Sequence, residues 1–213
     1  MKTKSTTIYN IFLFGLIIGL PGLVYGQGKT LQKSYNWKYK VSKDVNLSFN
    51  NYDCDINIQT WDQSTIEYTL QITAKGSSEE DVQELNDYLE NLIFHNSSNR
   101  VEIDNKFWSQ RISRMNRTKL SLKGGDNITL SEFKISGELK IPAGTNLELT
   151  SKYSSIELAE ILGRLDLELY NDKLYGENVG GNSTIKAKYS SLEFGNVKNV
   201  TAELYNTDIE MED

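Results

Sequence analysis

The chain has 213 residues, 38% of them hydrophobic, and a formal charge of −6. That is enough apolar matter for one globular core, and the acidic balance excludes the clustered Lys and Arg that non-specific nucleic-acid binding requires. A single cysteine, Cys54, and a single histidine, His95, exclude an internal disulfide, a thiolate cluster and a His-rich metal site, so no metal or cofactor is expected.

At the N-terminus, Lys2 and Lys4 precede an apolar run over residues 11–20, which Pro21 breaks before Val24-Tyr25-Gly26 and Gln27. This reads as a secretory signal peptide over residues 1–26. The run is shorter than the ~20 apolar residues of a bilayer-spanning helix. The remaining chain, 27–213, is therefore expected to be exported without a transmembrane segment, to the periplasm or cell surface of a bacterium.

Residues 35–41 alternate apolar and polar, as do residues 46–58 and 66–72, the period of a strand with one buried face. Ser77 with Glu80 three positions on has the form of a capping box. Val82, Leu85, Leu89, Leu92 and Ile93 then fall on one helical face. A helix is predicted from about Ser78 to Ile93, covering an end or face of the β structure. Residues 100–104 are a strand. Residues 107–127 fit no template; they carry Arg111, Arg114, Arg117, Lys119 and Lys123 and end in a Gly-Gly-Asp-Asn turn signal. They read as a solvated, mobile insertion, or as a basic loop that meets an anionic glycan or lipid. Residues 135–141 form another strand, and Pro142-Ala143-Gly144 turns the chain.

From Asn146 to Met211 the sequence repeats itself. Ile156, Leu174, Leu192 and Ile209 are anchors at steps of 18, 18 and 17. Leu149, Leu167, Ile185 and Ala202 stand seven residues before them. Leu158, Gly176, Phe194 and Met211 stand two after, and Ile161, Val179 and Val197 five after. Apolar residues in fixed columns at such a period mark a solenoid. The predicted fold is mainly β, a parallel β-helix-like solenoid with coils of about 18 residues plus an N-terminal β part carrying one amphipathic α-helix. The division falls at 27–130 for the N-terminal β/α part with its basic loop and 131–213 for the solenoid. Shifting the repeat back by 100 aligns Leu47, Phe49, Ile56, Ile58 and Trp61 with Leu147, Leu149, Ile156, Leu158 and Ile161, so this earlier segment reads as one more coil.

Two columns just before the anchors are polar and alternate. One holds Tyr153, Asn171, Tyr189 and Asn206; the other holds Lys152, Tyr170, Lys188 and Tyr205. Stacked about 4.8 Å apart, they place Tyr beside Lys, which allows cation–π contact. As turn residues they would seal a corner, with Asn taking a left-handed backbone. As a surface they form a strip suited to stacking on sugars. Tyr153, Tyr170, Tyr189, Tyr205, Lys152 and Lys188 are the candidate ligand-binding residues. Glu157, Glu193 and Glu210 recur in the column after the anchor, with Tyr175 between, which is repetition rather than a catalytic pair. Cys54, between Asp53 and Asp55, has no His partner and reads as a half-buried turn residue. No catalytic residue is assigned. The open last coil allows edge-to-edge self-association.

With these features in hand, the chain resembles the bacterial putative-adhesin domain family of unknown function, akin to the head domains of auto-transporter adhesins. The resemblance rests on the signal peptide, the strand running into Trp61-Asp62, the helix, and Leu139-Lys140-Ile141-Pro142. It also rests on the iterated Lys-Tyr-Ser-Ser units from Lys152 and Lys188 and the Leu-Tyr-Asn units from Leu169 and Leu204. Where the family often has a Tyr-Gly turn, Ser154, Asp172, Ser190 and Thr207 stand here instead. The resemblance implies a β-solenoid, an envelope location and a non-enzymatic role binding an envelope protein or glycan. The alternative is a structural or signalling component of the periplasm or envelope stress response, with a polysaccharide-active β-helix enzyme ranked below both.

Overall fold

A computed structural model describes residues 29–212. The signal-peptide reading falls on residues 1–26 and lies outside the described residues. In chain order the elements are β1 (Thr30–Lys40), β2 (Asn46–Tyr52), β3 (Asp55–Trp61), β4 (Thr65–Gly76), α1 (Glu79–Glu90), β5 (His95–Asn96), β6 (Arg100–Asp104), β7 (Trp108–Arg114), β8 (Arg117–Leu122) and β9 (Asn127–Pro142). Then come β10 (Asn146–Lys152), β11 (Ser155–Leu158), β12 (Leu165–Tyr170), β13 (Lys173–Gly176), β14 (Val179–Lys188), β15 (Ser191–Phe194), β16 (Val197–Tyr205) and β17 (Asp208–Met211).

The protein is mainly β, and both sheets are mixed. One has the order β1-β4-β9-β3-β11-β13-β15-β17, with the β7–β8 hairpin attached through β8 to β9. The other has the order β16-β14-β12-β10-β2-β6-β5. Neither closes into a barrel. From β3 to β17, and from β2 to β16, every neighbour is parallel. Leu147 pairs with Leu165, Leu165 with Ser183, and Ile185 with Ala202. Ile156 pairs with Leu174, Leu174 with Leu192, and Leu192 with Ile209. The columns read from the sequence are thus the hydrogen-bonded registers. The 100-residue shift is also a register: Leu47 pairs with Leu147, Phe49 with Leu149, and Ile56 with Ile156. Trp61 departs from it, because β11 ends at Leu158; Trp61 pairs with Pro142 of β9 on its other side.

Alternation explains why these segments are strands. Leu147 and Leu149, Leu165, Leu167 and Leu169, and Ile185 and Ala187 are all buried while their neighbours face solvent. Each such side chain contributes about 1.5–3 kcal/mol of burial. The core fills the space between the two sheets, where Phe49 of β2 meets the edge of Tyr68 of β4 at a ring separation of 5.5 Å. Gly176 opposes Phe194 in β13 and β15, and the absent side chain leaves room for the ring.

The helix cap lies one residue later than Ser77, and the helix itself begins at Glu79. Ser78 is its N-cap and accepts from the amide of Asp81, whose carboxylate accepts the Ser78 amide in return. The reciprocal box is therefore Ser78–Asp81 and not Ser77–Glu80. Val82, Leu85 and Leu89 are buried, whereas Ile93 lies beyond the helix and is 84% exposed. Helix α1 packs on β1, β4 and β9. The indole of Trp37 donates to the carbonyl of Leu92 and stacks on Tyr68 at 5.6 Å.

Residues 107–127 are not a structureless insertion. They form the antiparallel β7–β8 hairpin, which continues into β9 and is rooted by Trp108, Leu120 and Leu122, all buried. Strand β9 runs unbroken from 127 to 142, pairing with β4 along one edge and with β8 and then β3 along the other. It ties the hairpin and helix to the parallel ladders.

Candidate functional site: a row of tyrosines along one corner

The chain passes from the seven-stranded sheet to the ten-stranded sheet at five stacked two-residue corners. The first corner residue is left-handed each time: Asp53 (φ 53°), Tyr153 (61°), Asn171 (53°), Tyr189 (55°) and Asn206 (44°). Asn and Asp tolerate this conformation, and Tyr does so at a cost. The amides of the first four are directed along the stack. Asp53 donates to the carbonyl of Lys152 at 2.8 Å, Tyr153 to Tyr170 at 3.1 Å, Asn171 to Lys188 at 3.0 Å and Tyr189 to Tyr205 at 3.0 Å.

The second corner residue turns inward and builds another ladder. The amide of Cys54 donates to Oγ of Ser154 (3.3 Å), that of Ser154 to Oδ1 of Asp172 (2.8 Å), that of Asp172 to Oγ of Ser190 (3.1 Å) and that of Ser190 to Oγ1 of Thr207 (3.2 Å). The hydroxyls of Ser154, Ser190 and Thr207 donate in turn to the carbonyls of Lys152, Lys188 and Tyr205. This is what the Ser, Asp and Thr side chains do in place of glycine: they satisfy buried amides that a glycine would leave open. Burial pushes the carboxyl of Asp172 up to about 6, against hydrogen bonds from Tyr170, Ser154 and Ser151 and the charge of Lys152. Cys54 is fully buried and its thiol is pushed up to about 12 by that burial, so it stays neutral and is no nucleophile.

Outside the corner the rings form a continuous row. Tyr52 meets Tyr153 at 5.7 Å, Tyr153 meets Tyr170 at 5.6 Å, Tyr170 meets Tyr189 at 5.7 Å, and Tyr189 meets Tyr205 at 5.4 Å, all edge to face. The row zigzags between the strand-end column and the left-handed column. Trp108 extends it beyond Tyr52 at 5.9 Å. Four of the six sequence-predicted residues are thus in mutual contact. Lys152 and Lys188 stand in register between the tyrosines, Tyr52–Lys152–Tyr170–Lys188–Tyr205, and are exposed. The expected stacking of Lys on Tyr within this strip is not what holds it. Among the described residues, the cation over a tyrosine of the row is Lys106, 4.7 Å from the centre of Tyr52, and Arg111 lies over the Trp108 ring at 6.0 Å. The left-handed corner swings Tyr153 and Tyr189 toward the strand-end rings, and ring meets ring instead.

Two clefts flank the row. One, of about 600 Å³, is lined by Lys152, Tyr170, Lys188 and Tyr205 together with Glu168 and Lys186. The other, of about 440 Å³, is lined by Tyr153, Asp53, Asp55, Lys134, Phe133 and Arg111. There Arg111 pairs with Asp53 and lies over Phe133, 5.2 Å from the ring centre; burial lowers its pKa. Tyr52, Lys106, Trp108 and Arg111 were not among the sequence-predicted site residues. Tyr52 was within reach, since the 100-residue shift places it in the Lys152 column. Glu157, Tyr175, Glu193 and Glu210 form one exposed column. The row thus presents aromatic edges and faces, hydroxyls, ammonium groups and carboxylates on a rigid frame, which equips it for stacking and hydrogen bonding.

No family model matches the chain, and no curated protein does. Among solved structures, a putative cell adhesion protein from Clostridium sporogenes is similar at 10% identity and a TM-score of 0.49, over 85% of this chain and 99% of that one. A putative adhesin from Parabacteroides merdae is similar at 10% identity and a TM-score of 0.27, over 84% of this chain and 95% of that one. At these values neither assigns a function.

Proposed function

We propose that the protein is a non-enzymatic, exported, adhesin-like module that binds glycan or protein at the bacterial cell envelope along its tyrosine row. The observation that carries this reading is the unbroken contact of Tyr52, Tyr153, Tyr170, Tyr189 and Tyr205. Tyr153, Tyr189 and Tyr205 are each about half exposed. A purely structural corner has no need of tyrosine in a left-handed position that costs roughly 1–2 kcal/mol. The ladders β10 to β17 are read as successive coils of a parallel β-helix-like solenoid of about 18 residues per coil, on the strength of their registers. A stiff stack of this kind holds the rings at fixed spacing. Asp172, whose carboxyl burial raises, is sealed in the corner and lines neither cleft.

The test is binding of the full chain to arrays of envelope glycans and to envelope fractions, comparing Tyr153→Asn, Tyr189→Asn and Tyr205→Ala. Asparagine is the corner residue this chain already uses at Asn171 and Asn206, so the fold should persist. The expected result is a several-fold loss of affinity for each change, accumulating in the combined variant. Undiminished binding in the triple variant would overturn the assignment of the row.

A further inference from the structure

Both sheets end at the same end of the molecule, in β16 and β17. Here, among the described residues, the apolar columns lose their cover. Val200, Ala202, Leu204, Ile209 and Met211 continue the columns of Ser183, Ile185, Ala187, Leu192 and Phe194. The inner set is at most 5% exposed, whereas Val200 is 42%, Leu204 39% and Met211 38% exposed. Such an edge, with apolar side chains between two open strands, is a template for strand addition.

The polar columns state what would fit. Glu168, Lys186 and Glu203 are neighbours in one column, alternating in sign; Tyr170, Lys188 and Tyr205 alternate in the next but one. The left-handed column runs Tyr153, Asn171, Tyr189, Asn206. A strand that continues these alternations carries lysine opposite Glu203, an apolar residue opposite Leu204, lysine opposite Tyr205, then tyrosine. Charge agrees: Glu203, Asp208, Glu210 and Glu212 lie on this edge against Lys198. Two copies joined through it would set acid against acid, which opposes pairing.

We infer that the β16–β17 edge captures an extended, lysine-bearing segment of a partner chain, of the pattern apolar-Lys-apolar-Lys-Tyr, by strand addition. The pattern occurs within this chain as Ile185-Lys186-Ala187-Lys188-Tyr189, where it is already paired on both sides in β14, so an intact second copy cannot supply it.

The probe is a labelled peptide with the sequence of residues 183–194, titrated into the full chain and followed by fluorescence anisotropy and hydrogen exchange. Saturable binding is expected, with slowed exchange confined to β16 and β17. The peptide with both lysines changed to glutamate should bind roughly ten-fold more weakly, and Glu203→Lys in the protein should reverse that preference. No saturation, equal binding of the two peptides, or a concentration-dependent dimer that occludes the edge in sedimentation would each overturn the inference. Tyr205 belongs to both surfaces, so the discriminating variant is Tyr153→Asn, at a corner remote from this edge, which should weaken binding along the row and leave peptide binding unchanged; the two readings therefore fail separately.

Discussion

The backbone amide of Ser154 donates to Oδ1 of Asp172 at 2.8 Å, eighteen residues further along the chain. Oδ1 also accepts from the hydroxyl of Ser151 at 3.2 Å, and Oδ2 accepts from the amide of Tyr170 at 2.8 Å. One carboxylate thus joins two neighbouring corners. Burial nevertheless raises its pKa from 3.8 to about 6. A carboxyl raised on folding binds more protons when native than when unfolded, so its contribution to stability is present below pH 4 and is lost as pH rises toward 6. Asp172→Asn removes this term. In urea denaturation between pH 4 and 7, the stability of the wild type relative to the variant should fall with pH over that window. At pH 7 the variant should still be about 1–3 kcal/mol weaker, since its amide group faces the Tyr170 donor without accepting it. A wild-type-minus-variant difference flat with pH would count against the raised carboxyl.

The left-handed corners make a separate prediction. Asn171 at φ 53° should accept glycine with little change and resist valine. Asn171→Val should cost about 1–2 kcal/mol relative to Asn171→Gly, read as a difference in urea midpoints at equal slope. Equal stability of the two variants would mean that the corner relaxes out of the left-handed region.

Gly176 makes a third. A side chain there would fall on the ring of Phe194 and crowd Leu174. Gly176→Val should therefore destabilise by about 1–3 kcal/mol through overpacking, although valine suits a strand better than glycine. Gly176→Val combined with Phe194→Leu should recover part of the loss, and a thermal melt of the two variants decides it.

These residues show why the columns were legible in the sequence and other features were not. A parallel ladder lays residue on residue at a fixed offset, so Leu149, Leu167 and Ile185 share one environment and one chemistry. The corner columns Tyr-Asn-Tyr-Asn and Ser-Asp-Ser-Thr stand out for the same reason. The β7–β8 hairpin has no such partner copy. Of its alternate positions only Trp108, Leu120 and Leu122 are buried, while Arg111, Arg114, Arg117 and Lys119 dominate the reading. Nothing in the local sequence says that Arg111 folds back onto Asp53 and Phe133. The ring-to-ring contacts were likewise hidden, because they follow from positive φ at Tyr153 and Tyr189, which spacing does not encode.

Arg111 itself is predicted to anchor the hairpin rather than to serve as a free cation. It pairs with Asp53 and covers Phe133 and Trp108. Arg111→Ala should cost about 1–2 kcal/mol through lost stacking and packing. Arg111→Lys should restore only part of it, because a lysine lacks the planar group that lies on the rings. Full rescue by lysine in a urea titration would reduce the contact to charge alone.

The same geometry fixes where a protease enters. Arg111 pairs with Asp53, and Lys123 with Asp104 at 2.7 Å, while the hairpin tip carries Arg114, a fully exposed Met115 at φ 50° and Arg117. Cleavage needs several residues of backbone to leave the ladder, and the tip lies away from the buried Trp108, Leu120 and Leu122 that root the hairpin. Limited trypsin digestion should therefore cut first after Arg114 or Arg117, well before Arg111, Lys119 or Lys123, as read by mass spectrometry of the early fragments. Applied to intact cells, early release of tip-derived fragments would place this end of the protein at the surface, and protection until the envelope is opened would place it in the periplasm. Early cleavage at Arg111 would instead show that its ion pair does not persist in solution.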